Sequence, residues 1–260
     1  MTAANRSLVE TFYKRLYSPD CAAALADTLA AAYREHQYTA GFSRDGLARY
    51  VADRLARHPQ HRCVIHKVLS DDRHVFLLVE EKLGDGVDVA RAELFRIEHG
   101  KIAEHWGSHV VDAKDRKNPN GTFDGPQPDR TVDYARRYVA QFEALDLRGF
   151  DRQEIECFYE SRVPEYRQHS PKGGDGLEGL VTILRKMKDS GQKMIMQPRR
   201  VLVDGDFIVC HRLYDSFPKH PLVNRINTFD LFRLNAAGKA VEHWDVMEDV
   251  PSEDMLARIF

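Results

Sequence analysis

Two short stretches of the sequence combine a histidine with residues that could carry a proton. The second stretch, "EHWD", places His243 and Asp245 two positions apart. In a β-strand, residues i and i+2 point to the same face, so these two side chains would face the same space. Asp230, in the preceding apolar stretch, would add a second carboxylate, and two carboxylates held together push their pKa values apart. The pattern indicates general acid/base chemistry.

The first stretch, "EHWG", repeats the histidine without the acid. Gly107 stands where the second copy has Asp245, and Glu93 stands where it has Asp230. Since glycine cannot transfer a proton, we expect the acid/base site in the second copy alone. Imidazole and carboxylate ligands in the first copy could instead hold zinc or iron. The candidates are His36, His105, His109 and Glu93. Their spacing matches no metal motif, so we predict no metal, and a relic site or one that binds a ligand without turnover.

The two stretches belong to a longer internal repeat. The segment "YREHQ" at 33–37 returns as "YRQHS" at 166–170, an offset of 166 − 33 = 133. The segment at 67–76 returns at 200–209 with the same offset, and the histidines of the "EHW" pair are 243 − 105 = 138 positions apart. A period this long indicates duplicated domains. Proline and glycine residues at 118–130 mark the boundary, so we predict domains at 1–125 and 130–260.

Each copy shows helical periodicity first and strand-like runs afterwards. Apolar spacing predicts helices at 5–16, 22–33 and 44–57, and again at 131–145, 152–163 and 177–188. Alternating runs separated by Gly- and Asp-containing turns follow in both copies. Helices followed by a strand meander predict an α+β fold with an antiparallel sheet and without parallel crossovers.

Composition excludes several classes of protein. The formal net charge of -2 lacks the basic excess that broad nucleic-acid binding requires. No apolar run reaches the ~20 residues of a membrane span. The four cysteines form no C-x-x-C pair and the first residues lack an apolar signal core, so we expect reduced thiols in a cytoplasmic protein that binds neither nucleic acid nor membrane.

The repeated phrases resemble the SnoaL-like polyketide cyclase family, within the broader nuclear-transport-factor-2-like superfamily. These phrases are "YREHQ" with "ELFRIEHGKIAEHW" at 93–106, and "YRQHS" with "DLFRLNAAGKAVEHWDV" at 230–246. The resemblance implies two tandem cone-shaped α+β barrels, each with about three helices packed on a curved antiparallel sheet around a pocket. It also implies that the two copies pair as an intrachain pseudo-dimer, and that no cofactor is needed.

The resemblance assigns the acid/base role to Asp245, with His243 and Asp230 as supports and His169 bonding a substrate carbonyl. The other expected binding residues are Tyr166, Phe232, Met247, His36, Glu93, His105 and His109. In the first copy, Arg91 with Glu93 is similar to the arginine–carboxylate pair of limonene-epoxide-hydrolase-like relatives, although Gly107 leaves that likeness incomplete.

Three functions remain open at this point. The leading one is a small-molecule enzyme that performs aldol-type cyclisation, isomerisation, dehydration or hydrolysis on a hydrophobic, carbonyl-bearing substrate. The second is a non-catalytic carrier of a small ligand. The third is an adaptor that binds other proteins, which the near-neutral charge makes the least favoured of the three.

Overall fold

The chain forms two compact units, each with its own sheet and helices. The computed structural model describes residues 2–84, 86–112, 114–217 and 225–260. One unit is Met1–Asp112 with Pro251–Phe260, and the other is Ala113–Val250. The last residues of each predicted copy, 114–125 and 251–260, therefore belong to the unit formed by the other copy. The bounds of the repeat, 1–125 and 130–260, stay a prediction.

The first unit opens with three helices and an edge strand, followed by a four-strand meander. The elements are α1 (Thr2–Leu16), α2 (Cys21–Thr28), β1 (Leu29–Glu35), α3 (Arg44–Arg57), β2 (Arg62–Ser70), β3 (His74–Lys82), β4 (Asp88–Glu98) and β5 (Lys101–Val111). The strand order is β1-β5-β4-β3-β2. β1 runs parallel to β5, and the other pairs are antiparallel.

The second unit repeats this order. Its elements are α4 (Tyr134–Asp151), α5 (Cys157–Ser161), β6 (Arg162–Gln168), α6 (Gly176–Asp189), β7 (Lys193–Asp204), β8 (Phe207–Phe217), β9 (Arg225–Leu234) and β10 (Ala240–Asp249). The strand order is β6-β10-β9-β8-β7, again with one parallel pair, β6 and β10. A short helix near the end of the chain, α7 (Leu256–Ile259), belongs to the first unit.

The structure confirms the α+β class and the tandem layout, and it corrects two details. The prediction of barrels with purely antiparallel sheets is wrong, because each sheet is open and mixed, with a parallel strand at one edge. The predicted helices at 22–33 and 152–163 each end early and give way to β1 and β6. In Leu29–Glu35 the alanine-rich sequence favours a helix, but pairing with β5 overrides that local preference.

The helices of each unit pack on one face of the sheet and enclose an apolar core. In the first unit, Val9, Phe12 and Tyr13 of α1 contact the sheet residues Val79 and Phe95, all of them buried. Register shifts interrupt the pairing of β4 with β5 and of β9 with β10, and such bulges bend a strand. The bent sheets hold the polar side chains of β4, β5, β9 and β10 between sheet and helices. No helix of the described residues is long and apolar enough to cross a membrane.

Candidate functional site

A cluster of one histidine and two carboxylates lies on the helix-facing side of the second sheet. Asp230 of β9 and Asp245 of β10 are directly opposite in the antiparallel register, and directly opposite side chains share a face. His243 precedes Asp245 by two positions on the same face. One ligand atom from each of the three side chains lies within 4.8 Å of the others. Strand alternation therefore brings these three residues together.

Gln168 at the end of β6 fixes the orientation of His243. The Nδ1 atom of His243 lies 2.9 Å from Oε1 of Gln168, and the same oxygen accepts the backbone N–H of Ser170 at 2.9 Å. Because this oxygen is an acceptor, Nδ1–H of His243 donates to it, which leaves Nε2 facing Oδ1 of Asp230 at 3.2 Å. The ring is also held by stacking on Phe232, with centroids 4.6 Å apart.

Asp230 is supported by donors from β8. The hydroxyl of Tyr214 donates to Oδ2 of Asp230 at 3.2 Å, and Nη1 of Arg212 lies 3.4 Å from the same oxygen. Arg212 is buried, and burial of an unpaired guanidinium would be costly, so its acidic partners are required in the folded unit. A positive charge and a hydroxyl donor thus both face Oδ2 of Asp230.

Asp245 differs from Asp230 in that none of the described residues places an arginine beside it. Burial raises the pKa of Asp245, the charge of Asp230 raises it further, and His243 and a hydrogen bond from Ser170 oppose the rise. As a whole residue, Asp245 has intermediate solvent exposure. A carboxyl group with a raised pKa that solvent can still reach is suited to exchange protons with a bound molecule.

Two histidines of the expected pocket lie on the opposite face of the sheet. His169 stacks on Trp244 with centroids 4.5 Å apart, and its Nε2 lies 3.5 Å from Oε1 of Glu242. In the first unit His36 stacks on Trp106 at 4.7 Å and faces Glu104. Each of these histidines directly follows the last residue of a parallel edge strand, so it points away from the cluster. The shared "EHW" phrase therefore supplies a glutamate and a tryptophan that hold this outer histidine.

The preceding residue takes the inner position that we expected for His169. Gln168 is in register with His243, and Glu35 is in register with His105. The other expected binding residues of the second unit lie on the inner face. Tyr166 and Phe232 are buried and stack on His243. Met247 is partly buried and lies two residues after Asp245 on the same strand, so the two side chains share a face.

A second group of charges lies beneath the cluster in the second unit. Asp146 of α4 is fully buried between Arg162, at 2.8 Å, and Arg212, at 3.0 Å. Burial opposes ionisation of Asp146, but the two guanidinium groups outweigh it and hold its pKa below the ordinary value. Glu143 also pairs with Arg212. This network connects helix α4 to β6 and β8 under the acid/base cluster.

The corresponding cluster of the first unit is a closed ion network. His105 lies between Oε2 of Glu35, at 3.0 Å, and Oε2 of Glu93, at 2.8 Å. Burial disfavours the imidazolium, but Glu35 and Glu93 outweigh burial and raise the pKa of His105 to about 10. Nε of Arg91 donates to Glu93 at 2.6 Å. At neutral pH this histidine is a doubly donating cation, which cannot act as a base.

Glu93 also explains Gly107. The two residues are opposite in the register of β4 and β5. A Cβ atom at position 107 would lie 2.5 Å from Oε2 of Glu93 and 3.1 Å from Nε2 of Gln37, closer than such atoms approach without displacement. The longer acid of the first unit therefore occupies the space that the side chain of Asp245 fills in the second. His109 lies on the same face, opposite Arg91.

Part of the sequence matches a known domain family. Residues 9–105 match the model of the SnoaL-like domain. The first unit contains a SnoaL-like domain. No curated protein matches the sequence.

Solved structures similar to this chain cover less than half of it. TsrD from Streptomyces laurentii is 20% identical, with 43% of this chain and 89% of that chain covered and a TM-score of 0.37. IdmH from Streptomyces antibioticus, a candidate polyketide cyclase, is 16% identical, with coverages of 46% and 96% and a TM-score of 0.35. An NTF-2-like protein of unknown function from Burkholderia xenovorans is 11% identical, with coverages of 46% and 90% and a TM-score of 0.37.

The SnoaL-like domain and its repeat differ in the groups that could hold a divalent metal. The described residues offer one group of suitable spacing, Asp230, His243 and Asp245 in the second unit. Because Nδ1–H of His243 bonds Gln168, Nε2, which faces Asp230, is the ring nitrogen that a metal would bind there. In the SnoaL-like domain, His36 lies on the outer face and His105 is saturated by two glutamates, so the metal ligands considered from the sequence do not converge.

Several residues of both clusters were not identified from the sequence. They are Glu35, Tyr13, Tyr50, Glu81, Gln168, Ser170, Arg212, Tyr214, Asp146 and Arg162. One signal was available: Arg212 interrupts the otherwise apolar start of β8, and a charge in a buried strand requires a partner. Gln168 and Glu35 depend on the register of a parallel edge strand, which alternation within one strand cannot supply.

Proposed function

We propose that the second unit is a cofactor-independent acid/base site for a hydrophobic, carbonyl-bearing small molecule. The supporting observation is the difference between two neighbouring carboxylates. Asp230 is held by Arg212 and Tyr214, whereas Asp245 has a raised pKa and remains partly exposed. Pairs of acids whose environments differ in this way divide the roles of proton carrier and fixed charge.

In this proposal the Asp245 carboxylate removes a proton from the carbon next to the substrate carbonyl. The new negative charge lies near the cationic side of the cluster, where Arg212 offsets Asp230. His243, fixed by Gln168 and Phe232, orients Asp230 and limits the negative charge that surrounds Asp245. In a β,γ-unsaturated substrate, return of the proton to the γ-carbon gives the conjugated isomer. In a substrate with a second carbonyl, attack of the carbanion on that carbonyl closes a ring, and the alkoxide that forms takes the proton back from Asp245.

Exchange of α-protons tests this step without knowledge of the natural substrate. The apolar ketone 2-tetralone is incubated with the full chain in D2O, and loss of its α-proton signals is followed by NMR. We expect exchange faster than in buffer alone, and a loss of about 100-fold or more in Asp245→Asn, since a positioned general base contributes about 10²–10⁴-fold. Wild-type exchange at the buffer rate would overturn the proposal for ketones of this size.

A matched control separates proton transfer from loss of charge or of fold. Asp249→Asn removes an exposed carboxylate from the end of the same strand and should leave exchange unchanged. Fluorescence of Trp244 reports whether the second unit stays folded. Addition of Zn²⁺ or of a chelator should not change the rate; dependence on metal would instead assign Asp230, His243 and Asp245 to a metal centre. Equal rates for Asp245→Asn and wild type would remove Asp245 from the reaction.

A further inference from the structure

The SnoaL-like domain contains a cavity that the proposed reaction does not use. Its volume is about 250 Å³, and it opens between helix α1 and the start of β2. An apolar cavity of about 150 Å³ holds a benzene molecule, so this one has room for a bicyclic compound. The lining residues are Tyr13, Lys14 and Tyr17 from α1, and His61, Arg62 and Cys63 from the strand side.

Two aromatic rings line the cavity, and one of them has a ring nitrogen without a hydrogen-bond partner among the described residues. Tyr17 stacks on His61, with centroids 4.8 Å apart and the planes 26° from parallel. His61 donates from Nε2 to Oε1 of Glu81 at 2.8 Å, while its Nδ1 is buried without a hydrogen-bond partner in the described part of the chain. Burial raises the pKa of Tyr17, so its hydroxyl stays protonated and can donate. Buried polar atoms without partners are rare in folded proteins and call for an explanation.

The mouth of the cavity is positively charged. Lys14 and Arg62 are both exposed, and neither has an ion-pair partner among residues 2–84, 86–112, 114–217 and 225–260. The nearby acids do not offset them. Glu81 binds Arg54 through two contacts of 2.7 Å, and Glu93 is bound by Arg91 and His105. An anion at the mouth would meet two uncompensated cations.

The equivalent place in the second unit is nearly filled. The void beside α4 and the start of β7 measures about 10 Å³, and Phe150 and Met194 line it. With the repeat offset of 133, these residues stand where the SnoaL-like domain has Tyr17 (150 − 17) and His61 (194 − 61). At this place the second unit thus has apolar side chains at both positions, and the void is too small for anything larger than a water molecule. In the part of the chain that the structure describes, this polar cavity occurs in the first copy, and the equivalent place in the second copy is nearly filled.

We propose that this cavity binds a small aromatic carboxylate, with the ring against Tyr17 and the carboxylate at Arg62 and Lys14. The planar guanidinium pairs with a carboxylate through two parallel hydrogen bonds, and the ammonium adds a second charge. The flat walls contact the aromatic ring, and Tyr17 and His61 supply the remaining polar contacts. His105 is a fixed cation and Glu93 is held ionised, so the ligand is bound and not turned over.

Calorimetric titration of the full chain with naphthalene-2-carboxylate tests this site. We expect saturable binding of one molecule, at least tenfold weaker binding of naphthalene-2-carboxamide, and at least tenfold weaker binding of the carboxylate to the Lys14→Gln/Arg62→Gln double variant. Tyr17→Phe should weaken binding several-fold. Arg49→Gln, which removes an exposed charge from α3 of the same domain, is the control and should bind like the wild type.

The outcomes separate this inference from the proposed reaction. Asp245→Asn should bind the carboxylate as the wild type does, because the cavity lies in the other unit. Absence of binding, equal affinity for acid and amide, or equal losses in Arg49→Gln and the double variant would overturn the inference. Weaker binding by Asp245→Asn would also overturn it, since the ligand would then occupy the second unit. Tighter binding of 2-naphthyl phosphate would replace the carboxylate with a phosphate ester as the ligand class.

Discussion

Equivalent strands of the two units carry different buried polar clusters. In the SnoaL-like domain His105 is locked between Glu35 and Glu93, and the space beyond α1 stays open. In the second unit Gln168 replaces the first glutamate beside His243, and Asp245 has a raised pKa and intermediate exposure. Among the described residues, one copy thus has a cavity beside its first helix, and the other has a carboxyl group with a raised pKa.

The buried arginine beside the cluster lies on a different strand in each unit. Arg91 of β4 lies opposite Val79 of β3, whereas in the second unit Thr228 of β9 lies opposite Arg212 of β8. The guanidinium has moved to the other strand of the same cross-strand pair. In both units the guanidinium meets an acid of the later strand of that pair, Glu93 of β4 in one unit and Asp230 of β9 in the other. The fold therefore specifies a buried cation at this level of the sheet without specifying which strand provides it.

The largest expected difference in stability between the units concerns the helix residue that contacts each cluster. Asp146 lies at the position of Tyr13 in the repeat (146 − 13 = 133). Asp146→Ala leaves Arg162 without its acidic partner and should lower the free energy of unfolding of the second unit by about 3–5 kcal/mol. Tyr13→Phe removes one hydrogen bond to Glu93 and should cost about 1–2 kcal/mol in the first.

Each unit contains one of the two tryptophans, so urea unfolding can be followed separately. Trp106→Phe leaves Trp244 to report on the second unit, and Trp244→Phe leaves Trp106 to report on the first. Similar losses for Asp146→Ala and Tyr13→Phe would show that the Asp146 network does not differ in importance from the single hydrogen bond of Tyr13.

The next effect concerns the glycine that distinguishes the two "EHW" phrases. Gly107→Asp forces a carboxylate against Glu93 and should destabilise the SnoaL-like domain by about 3 kcal/mol, through crowding and charge repulsion. Adding Glu93→Asp recreates the pair found at Asp230 and Asp245, and should restore part of the loss. Urea midpoints reported by Trp106 measure both variants.

Gly107→Ala separates the two causes, because it brings the Cβ atom without the charge. A double variant no more stable than Gly107→Asp alone would show that the length of Glu93 does not exclude a side chain at position 107.

The repeat, some of the helices and the shared face of the second cluster could be predicted from the sequence. The offsets of the repeat predicted two copies, the 3.6-residue periodicity predicted helix 44–57 at the bounds of α3, and alternation placed Asp230, His243 and Asp245 on one face. These are properties of single elements or of an antiparallel pair whose turn is visible in the sequence.

Relations between distant segments could not be predicted in this way. The register of β6 against β10 decides that Gln168 faces inward and His169 outward, and no turn between those strands fixes it. The Asp146–Arg162–Arg212 network and the cavity beside Tyr17 likewise depend on how helices pack on the sheet. For the same reason the alanine-rich β1 was mistaken for part of a helix.

A smaller, pH-dependent effect should distinguish the two histidines. The pKa of His105 is about 10 in the folded domain against an ordinary 6.5, so its ion pairs stabilise the fold fully below pH 6.5. That stabilisation is lost as pH rises through about 10, because the unfolded state has already released the proton. The urea midpoint of the SnoaL-like domain should fall between pH 7 and pH 10, and less so in His105→Gln. An unchanged slope in that variant would assign the pH dependence to other groups.

The smallest expected effect concerns the titration of Asp245, the proposed proton carrier. The charge of Asp230 raises the pKa of Asp245, and the hydrogen bond from Ser170 lowers it. Asp230→Asn should therefore move the titration of Asp245 to lower pH, and Ser170→Ala should move it to higher pH. Carbon-13 NMR of the Asp245 carboxyl measures both shifts directly, with Asp249→Asn as the reference. If both variants moved the titration in the same direction, the neighbours of Asp245 would act through the shape of the site and not through its charge, and the division of roles between the two carboxylates would fail.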